Sequence, residues 1–447
     1  MPSSQTNPTE LPRFGWPIER KLEPRQPKSL TKAGVSLHAA GDPPLIVRGC
    51  RESSQSTRAF CLWITFEDQL SKYAPKGWGP PPDSPTPPPF SIQPISGCGR
   101  GMVANKTIKT GEIIVVERPI VVHPATTTMI LHHPNGMWGH LEDIYEQHFQ
   151  LLGEKEQSLY MDLWNCKPVT GTLGNQLVGI ARTNGLYSGF TRTKHTPHYA
   201  GVYPKISRCN HSCGPNADAK FDEEKMAMTL IAQRTIPAGD QVTIGYTNLE
   251  APYSARQDDL NTKYIFTCAC KHCKPSKPSR PSRPLKHPYW CFPNQTTGEH
   301  VDLKAEIDAS DVRRDQISHR LAGARELWAD WLSPSSRQSD RDLLQFHEDA
   351  LVIIAQEGLE WTRILDIAYL AHACAALEDE GGFRRWGTML MSISGTQGDE
   401  GKSQMKTWQD WVREPKTSPA WGLRVQARGR TEGTPSRKGK AWHISFT

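Results

Sequence analysis

Three thiols crowd into the stretch Cys268-Ala269-Cys270-Lys271-His272-Cys273, and a fourth stands well upstream, in Asn210-His211-Ser212-Cys213-Gly214-Pro215-Asn216. Nothing else in the chain restricts its fold as much. Thiolates favour a closed tetrahedral zinc site, and C-x-C-x2-C spacing lets three sulfurs converge from one loop. A zinc held by Cys213, Cys268, Cys270 and Cys273 ties the end of a module back over an earlier loop. The competing reading is four unliganded thiols, which the spacing disfavours. Structural zinc binding, worth about 10 kcal/mol or more, is enough to order a short loop with little core of its own. Four sulfur ligands leave no open position, so such a metal is structural rather than catalytic.

The remaining cysteines, Cys50, Cys61, Cys98, Cys166, Cys209, Cys291 and Cys374, form no paired framework and read as reduced thiols. The start, Met1-Pro2-Ser3-Ser4-Gln5, has no charged stretch leading into an apolar one, and no apolar run approaches the roughly twenty residues that cross a bilayer. A soluble chain of the nucleus or cytoplasm is therefore expected, with no membrane partner. Hydrophobic content is 37% and the chain holds 35 Gly and 36 Pro, so cores should alternate with loose stretches. The net charge of +6 permits an acidic partner without demanding one.

Residues 1–87 are rich in Pro, Ser and charge and are expected to be mostly disordered; Pro80-Pro81-Pro82 and Pro87-Pro88-Pro89 exclude helix and inner strand. One apolar patch, Phe60 to Phe66, reads as either a strand or a docking segment. From Phe90 the character changes. Ile113–Val116, Ile120–Val122, Met226–Ile231 and Gln241–Tyr246 read as short strands, and residues 139–183 as a helical insert carrying Leu151, Leu152, Leu159, Leu163, Leu177 and Ile180. Residues 274–300 form a Pro-rich basic stretch that reads as an extended linker. Over residues 301–393 apolar residues recur at helical spacing, with a break at Gly358 and an end at Gly381-Gly382, as in a helical hairpin array of tetratricopeptide type. Residues 394–447 read as a loose basic tail that Trp408, Trp411 and Trp421 could pin.

Four further constellations carry chemistry. In Gly97-Cys98-Gly99-Arg100-Gly101 three glycines let the backbone approach a ligand, although a tight turn would look the same. Asn184, in Arg182-Thr183-Asn184-Gly185, is either a helix-end cap or a ligand contact. Asn210 and His211 offer donors and acceptors side by side, fit for an adenine edge or an amine, or for a buried turn. Tyr246 and Tyr264 fall on or near strands, where packing is the ordinary role.

Taken in this order, the motifs resemble those of the SET-domain protein lysine methyltransferases, nearest to the SET-and-MYND branch and its fungal relatives. Asn-His-Ser-Cys-x-Pro-Asn is specific to them, and Arg256 and Leu260 match their Arg-x3-Leu spacer. The resemblance covers residues 88–273 and, more loosely, the chain to about residue 393. The MYND zinc module is missing, since only Cys166 lies between Cys98 and Cys209. The resemblance implies an α+β fold: a SET-type β-rich domain of short strands with a helical insert at 88–250, a Cys-rich post-SET zinc loop at 251–273, and an α-helical C-terminal region. It implies S-adenosyl-L-methionine as cofactor, held by the main chain around Cys98, Gly99 and Arg100 and by Asn184, Asn210, His211 and Phe266. It places Tyr246 and Tyr264 as the active-site tyrosines, and a protein lysine as substrate, with chromatin association open. Gln241 and Gly245 depart from the usual Glu and Ser.

Two other classes compete. A degenerate SET scaffold would bind partners without catalysis, against which the Asn-His pair and both tyrosines argue. A nucleic-acid-binding zinc protein would use the basic linker and tail, but a ligand as far upstream as Cys213 does not fit a finger, so direct nucleic-acid binding is not expected.

Overall fold

The computed structural model describes residues 45–50, 58–66, 82–125, 136–189, 199–223, 225–274, 303–393 and 398–429. Short β-branched runs become the strands β1 (Leu45–Cys50), β2 (Cys61–Phe66), β3 (Phe90–Ile95), β4 (Gly99–Ala104), β5 (Ile113–Glu117) and β6 (Val121–Pro124). An insert of three helices follows: α1 (Gly136–His148), α2 (Glu154–Met161) and α3 (Leu173–Asn184). Then come β7 (Gly185–Ser188), β8 (Tyr199–Val202), β9 (Asn210–His211), β10 (Ala217–Asp222), β11 (Ala227–Ala232) and β12 (Thr243–Ile244).

These strands make small sheets rather than one large one. β10, β11 and β5 form one antiparallel sheet, β3 and β4 a hairpin, and β9 and β12 a two-stranded parallel pair. Their inward residues, among them Met102, Ile114, Val115, Leu230 and Ile244, share one core. A five-stranded sheet runs in the order β1-β2-β6-β8-β7. Its β2 lies parallel to β6, with Leu62 opposite Val121 and Trp63 opposite Val122. The apolar patch at 60–66 is thus a strand, and a hairpin from the Pro-rich segment joins the sheet. Leu62 and Ile64 from it pack with Ile144, Tyr145, Leu177 and Ile180 of the insert. The insert is helical as expected, but Leu151 and Leu159 lie 39% and 40% exposed rather than in that core.

α4 (Tyr253–Tyr264) leads to the cysteine loop, and the helical region begins at α5 (Leu303–Trp331). It continues through α6 (Asp340–Glu357), α7 (Ile364–Ala376), α8 (Glu380–Ile393), α9 (Gly398–Arg413) and α10 (Leu423–Gly429). Ser339 caps α6 by accepting from the Asp342 N–H, and Gly358 ends it at φ 68°. Two expectations fail here. Gly381 and Gly382 do not end the array: they sit in the first turn of α8, where Asp379 Oδ1 accepts the Gly382 N–H at 2.9 Å and the cap outweighs the glycines. The segment after residue 394 is not wholly loose either, because α9 and α10 fold back and Trp408, Trp411 and Trp421 pack against Phe383 and Ala371. The expected linker at 275–300 lies outside the described residues.

Candidate cofactor cleft and metal centre

The β3–β4 hairpin turns through Gly97 and Gly99, both at φ 71°, a left-handed geometry that glycine adopts without strain. A Cβ added at Gly99 would meet nothing, whereas one at Gly101 would meet Asn210 Nδ2 at 2.7 Å, Ile95 Cγ1 at 2.8 Å and Gln241 Oε1 at 3.0 Å. Gly101 therefore serves close approach: the Asn210 side chain lies flat against the hairpin. Asn210 donates from Nδ2 to Gln241 Oε1 at 3.0 Å, a bond that the glutamine amide supplies in place of a carboxylate. The Asn216 side chain holds β12 in register beside β9, donating to the Gln241 carbonyl at 2.8 Å and accepting the Thr243 N–H at 2.8 Å. Gly245 also has a local reason, since a Cβ there would meet Leu249 Cδ1 at 2.6 Å.

His211 is fixed on both sides. Its Nδ1 accepts the backbone N–H of Tyr246 at 3.1 Å, which places the proton on Nε2, and Nε2 faces Cys213 Sγ at 3.4 Å. Any ligand contact at His211 falls to its main chain or ring face. Tyr246 donates its hydroxyl to the Cys209 carbonyl at 2.6 Å. Its ring centroid lies 4.9 Å from that of Tyr264 and 5.4 Å from His211, and Phe266 stands 6.2 Å from His211. Ile265, left-handed at φ 60°, turns the chain sharply between Tyr264 and Phe266. Burial pushes both phenols well above their ordinary pKa, with Tyr264 adding to the effect on Tyr246 and Asp259 to that on Tyr264. They remain neutral hydroxyls at any physiological pH.

The hairpin and the insert meet at Asp162, which accepts from Arg100 at 2.7 Å and also from Arg208. Cys98 is exposed at the turn. Asn184, 8% exposed, donates from Nδ2 to the carbonyls of Trp164 and Ile180 at 2.6 and 2.8 Å, leaving Oδ1 as the atom a ligand can use.

Cys213, Cys268, Cys270 and Cys273 come together with all four sulfurs within 4.8 Å of one another, and none is in a disulfide. Cys213 Sγ lies 4.0 Å from Cys268 Sγ and 3.6 Å from Cys273 Sγ. A tetrahedron built on Zn–S bonds of about 2.3 Å has edges of about 3.8 Å, so the donor set fits zinc in both chemistry and spacing. The neighbouring sulfurs of Cys268, Cys270 and Cys273 hold Cys213 far below an ordinary thiol. Gln257 on α4 braces the loop, accepting the Cys268 N–H at 2.8 Å and donating to its carbonyl at 3.0 Å. His272, between two of the cysteines, is pulled down to about 3 by burial and by Arg314 and is neutral at pH 7. Gln257, Arg314 and Glu357, which together brace this loop, carry no sequence signal: each is a single polar residue in an amphipathic helix.

Residues 99–247 match the family described as SET domain. This chain carries a SET domain. Beyond that domain model, the chain is similar to the protein-lysine N-trimethyltransferase SMYD5 of Gallus gallus, 36% identical over 74 residues, or 16% of this chain and 18% of the relative. It is also similar to the histone-lysine N-methyltransferase set5 of Schizosaccharomyces pombe, 26% identical over 181 residues, covering 40% of this chain and 49% of the relative. A third is the histone-lysine N-methyltransferase ASHR1 of Arabidopsis thaliana, 31% identical over 130 residues, 28% of this chain and 26% of the relative. The chain thus spans about half, or less, of the length of these relatives. Strand β4 with Gly99 and Gly101, the Asn210-His211 strand and Tyr246 lie inside the matched residues, while β3, Gly97 and Cys98 precede them and Tyr264, Phe266 and the three-cysteine loop follow.

Proposed function

We propose that this protein is a SET-type protein-lysine N-methyltransferase using S-adenosyl-L-methionine. One observation carries the reading: two half-buried tyrosine rings 4.9 Å apart stand beside the Asn210-His211 strand, which itself lies against a glycine hairpin. The relatives named as lysine methyltransferases support it. S-adenosylmethionine, when bound, supplies an electrophilic sulfonium methyl. The main chain at Cys98, Gly99 and Arg100, with Asn184, Asn210, His211 and Phe266, would hold it. Zinc would be held by Cys213, Cys268, Cys270 and Cys273 as a structural ion.

Tyr246 and Tyr264 would line the lysine channel. A lysine of pKa about 10.4 needs roughly 5 kcal/mol to become a neutral amine at pH 7. The aromatic walls exclude water and lower that figure by desolvating the ammonium. Neither phenol ionises, so neither serves as base; the lysine proton leaves to water before transfer. With its proton committed to Cys209, the Tyr246 oxygen accepts from the amine and turns its lone pair toward the methyl.

A histone lysine or another protein lysine is the substrate class to test first, with action at chromatin, in the nucleus or in the cytoplasm. No helix among the described residues is long and apolar enough to cross a membrane. The test is Tyr246→Phe, measured by labelled-methyl transfer and by calorimetry of S-adenosylmethionine. Transfer should fall about 100-fold or more while cofactor affinity stays within about threefold. Equal loss of both in a folded variant would overturn the assignment, and a wild-type chain that binds no S-adenosylmethionine would favour the scaffold reading.

A further inference from the structure

The metal loop is not closed by its own module alone. From the helical region, Arg314 on α5, fully buried, donates from Nη2 to the carbonyl of Cys213 at 3.0 Å and also bonds the Leu249 carbonyl. Its Nε lies 3.0 Å from Glu357 Oε2. Glu357, 1% exposed at the end of α6, further takes Arg313 Nε at 2.5 Å and Ser310 Oγ at 2.6 Å, and faces His272 Nδ1 at 3.8 Å. Gly358 follows so close that a Cβ there would meet Gly214 Cα at 2.9 Å. On the other side, α4 contributes Arg256, also fully buried. Its Nη1 bonds the Ala251 carbonyl and lies 3.6 Å from the partly exposed Asp311. Among the described residues its Nε and Nη2 have no oxygen or nitrogen partner, and the thiols of Cys213 and Cys273 act on the guanidinium.

The buried charges do not cancel among themselves. Three arginines stand against Glu357 and the partly exposed Asp311, which leaves a positive excess in the layer. A zinc ion bound by four thiolates carries two negative charges. We propose that Arg256, Arg313, Arg314 and Glu357 are positioning residues that form a net positive outer layer for a zinc–tetrathiolate, to which the helical region contributes. The inference rests on the zinc reading above. Outer partners of this kind orient ligands and stabilise the thiolate form. Stripping the metal leaves the layer unbalanced, so metal loss should loosen the docking of α5 and α6 along with the loop.

The experiment uses the full-length zinc-loaded protein. Zinc content of the wild type is measured first: absence of zinc would refute the metal reading itself. Zinc transfer to an excess of a chromophoric chelator is then timed for wild type, Arg256→Met, Arg256→Lys and Arg320→Met. Arg320 is the benchmark. It is a buried arginine on the same helix, paired with Asp366 at 2.8 Å, six residues from Arg314 and so about 9 Å further along the axis. Arg256→Met should release zinc about tenfold faster or more, and Arg256→Lys should stay within about threefold of wild type. Arg320→Met should lower the melting temperature without changing release. In the cobalt-substituted protein, the sulfur-to-metal charge-transfer band should move to longer wavelength in Arg256→Met. Release from Arg256→Met no faster than from Arg320→Met would overturn the proposal. If Arg256→Met does not fold, Arg256→Lys decides: a tenfold faster release there would show that charge is not what holds the metal.

Discussion

Gly101→Ala isolates the physical basis of the cleft. The alanine methyl would sit 2.7 Å from Asn210 Nδ2, 2.8 Å from Ile95 Cγ1 and 3.0 Å from Gln241 Oε1, closer than such atoms tolerate. All three are side-chain atoms, so Asn210, Ile95 and Gln241 must yield. Overpacking of this kind costs about 1–3 kcal/mol. Displacing Asn210 also breaks its 3.0 Å bond to Gln241 and, on the proposed reading, withdraws the carboxamide from where the cofactor would sit. A lost hydrogen bond to a charged group is worth about 1.5–3 kcal/mol, so S-adenosylmethionine affinity should fall roughly tenfold to a hundredfold. Gly99→Ala is the matched comparison: its methyl meets nothing, and the φ of 71° costs about 1–2 kcal/mol of backbone strain. That variant should lose stability and keep its side-chain contacts. Calorimetry of cofactor binding and thermal melts on both would separate the effects. Gly101→Ala with affinity within twofold of wild type would refute the claim that Asn210 is pinned there for a ligand.

Cys270→Ser should take zinc from about one ion per chain to none and make the 266–274 loop sensitive to protease; full metal content in that variant would exclude the four-sulfur set. Asp366→Ala should cost about 3–5 kcal/mol in urea unfolding, because Arg320 at 2.8 Å and His347 at 3.0 Å lose their buried carboxylate; a loss under 1 kcal/mol would contradict the pairing. His123 and His372, both buried, are held down from 6.5 to about 4 by desolvation, so the unfolded chain binds more protons between those values. Their contribution is whole above pH 6.5 and is lost as pH falls toward 4, at most about 3 kcal/mol each, and His372→Leu should flatten that slope in unfolding curves measured from pH 7.5 to 4.5.

The chemistry was legible where it is local in sequence. The glycine turn at 97–101, the Asn210-His211 pair and the cysteine loop each fit inside a few residues, so spacing alone exposed them. Gly358 was readable as a helix stop because its left-handed φ is a backbone demand. Tertiary effects stayed hidden. The β1–β2 hairpin is flanked by Pro and Ser, and only its pairing with β6 reveals what it does. The Asp379 cap reversed the expected effect of Gly381-Gly382. The apparent tail became helical because its tryptophans find Phe383 and His372, with Trp408 5.1 Å from the His372 ring. Glu357 reads as an ordinary helix residue until the fold sets it against Arg314 and His272, and the spacer that contains Arg256 gives no sign of its full burial.

The parallel seam between β2 and β6 has a practical consequence for anyone isolating the SET domain. Starting the polypeptide at residue 88 would remove β1 and β2 and leave the main-chain donors and acceptors of β6 without their neighbour. Leu141, Ile144 and Tyr145, now roofed by Leu62 and Ile64, would face water. An open strand beside bared aliphatic surface is a template for self-association, so such a fragment should precipitate or dimerise, and purification should begin upstream of Leu45.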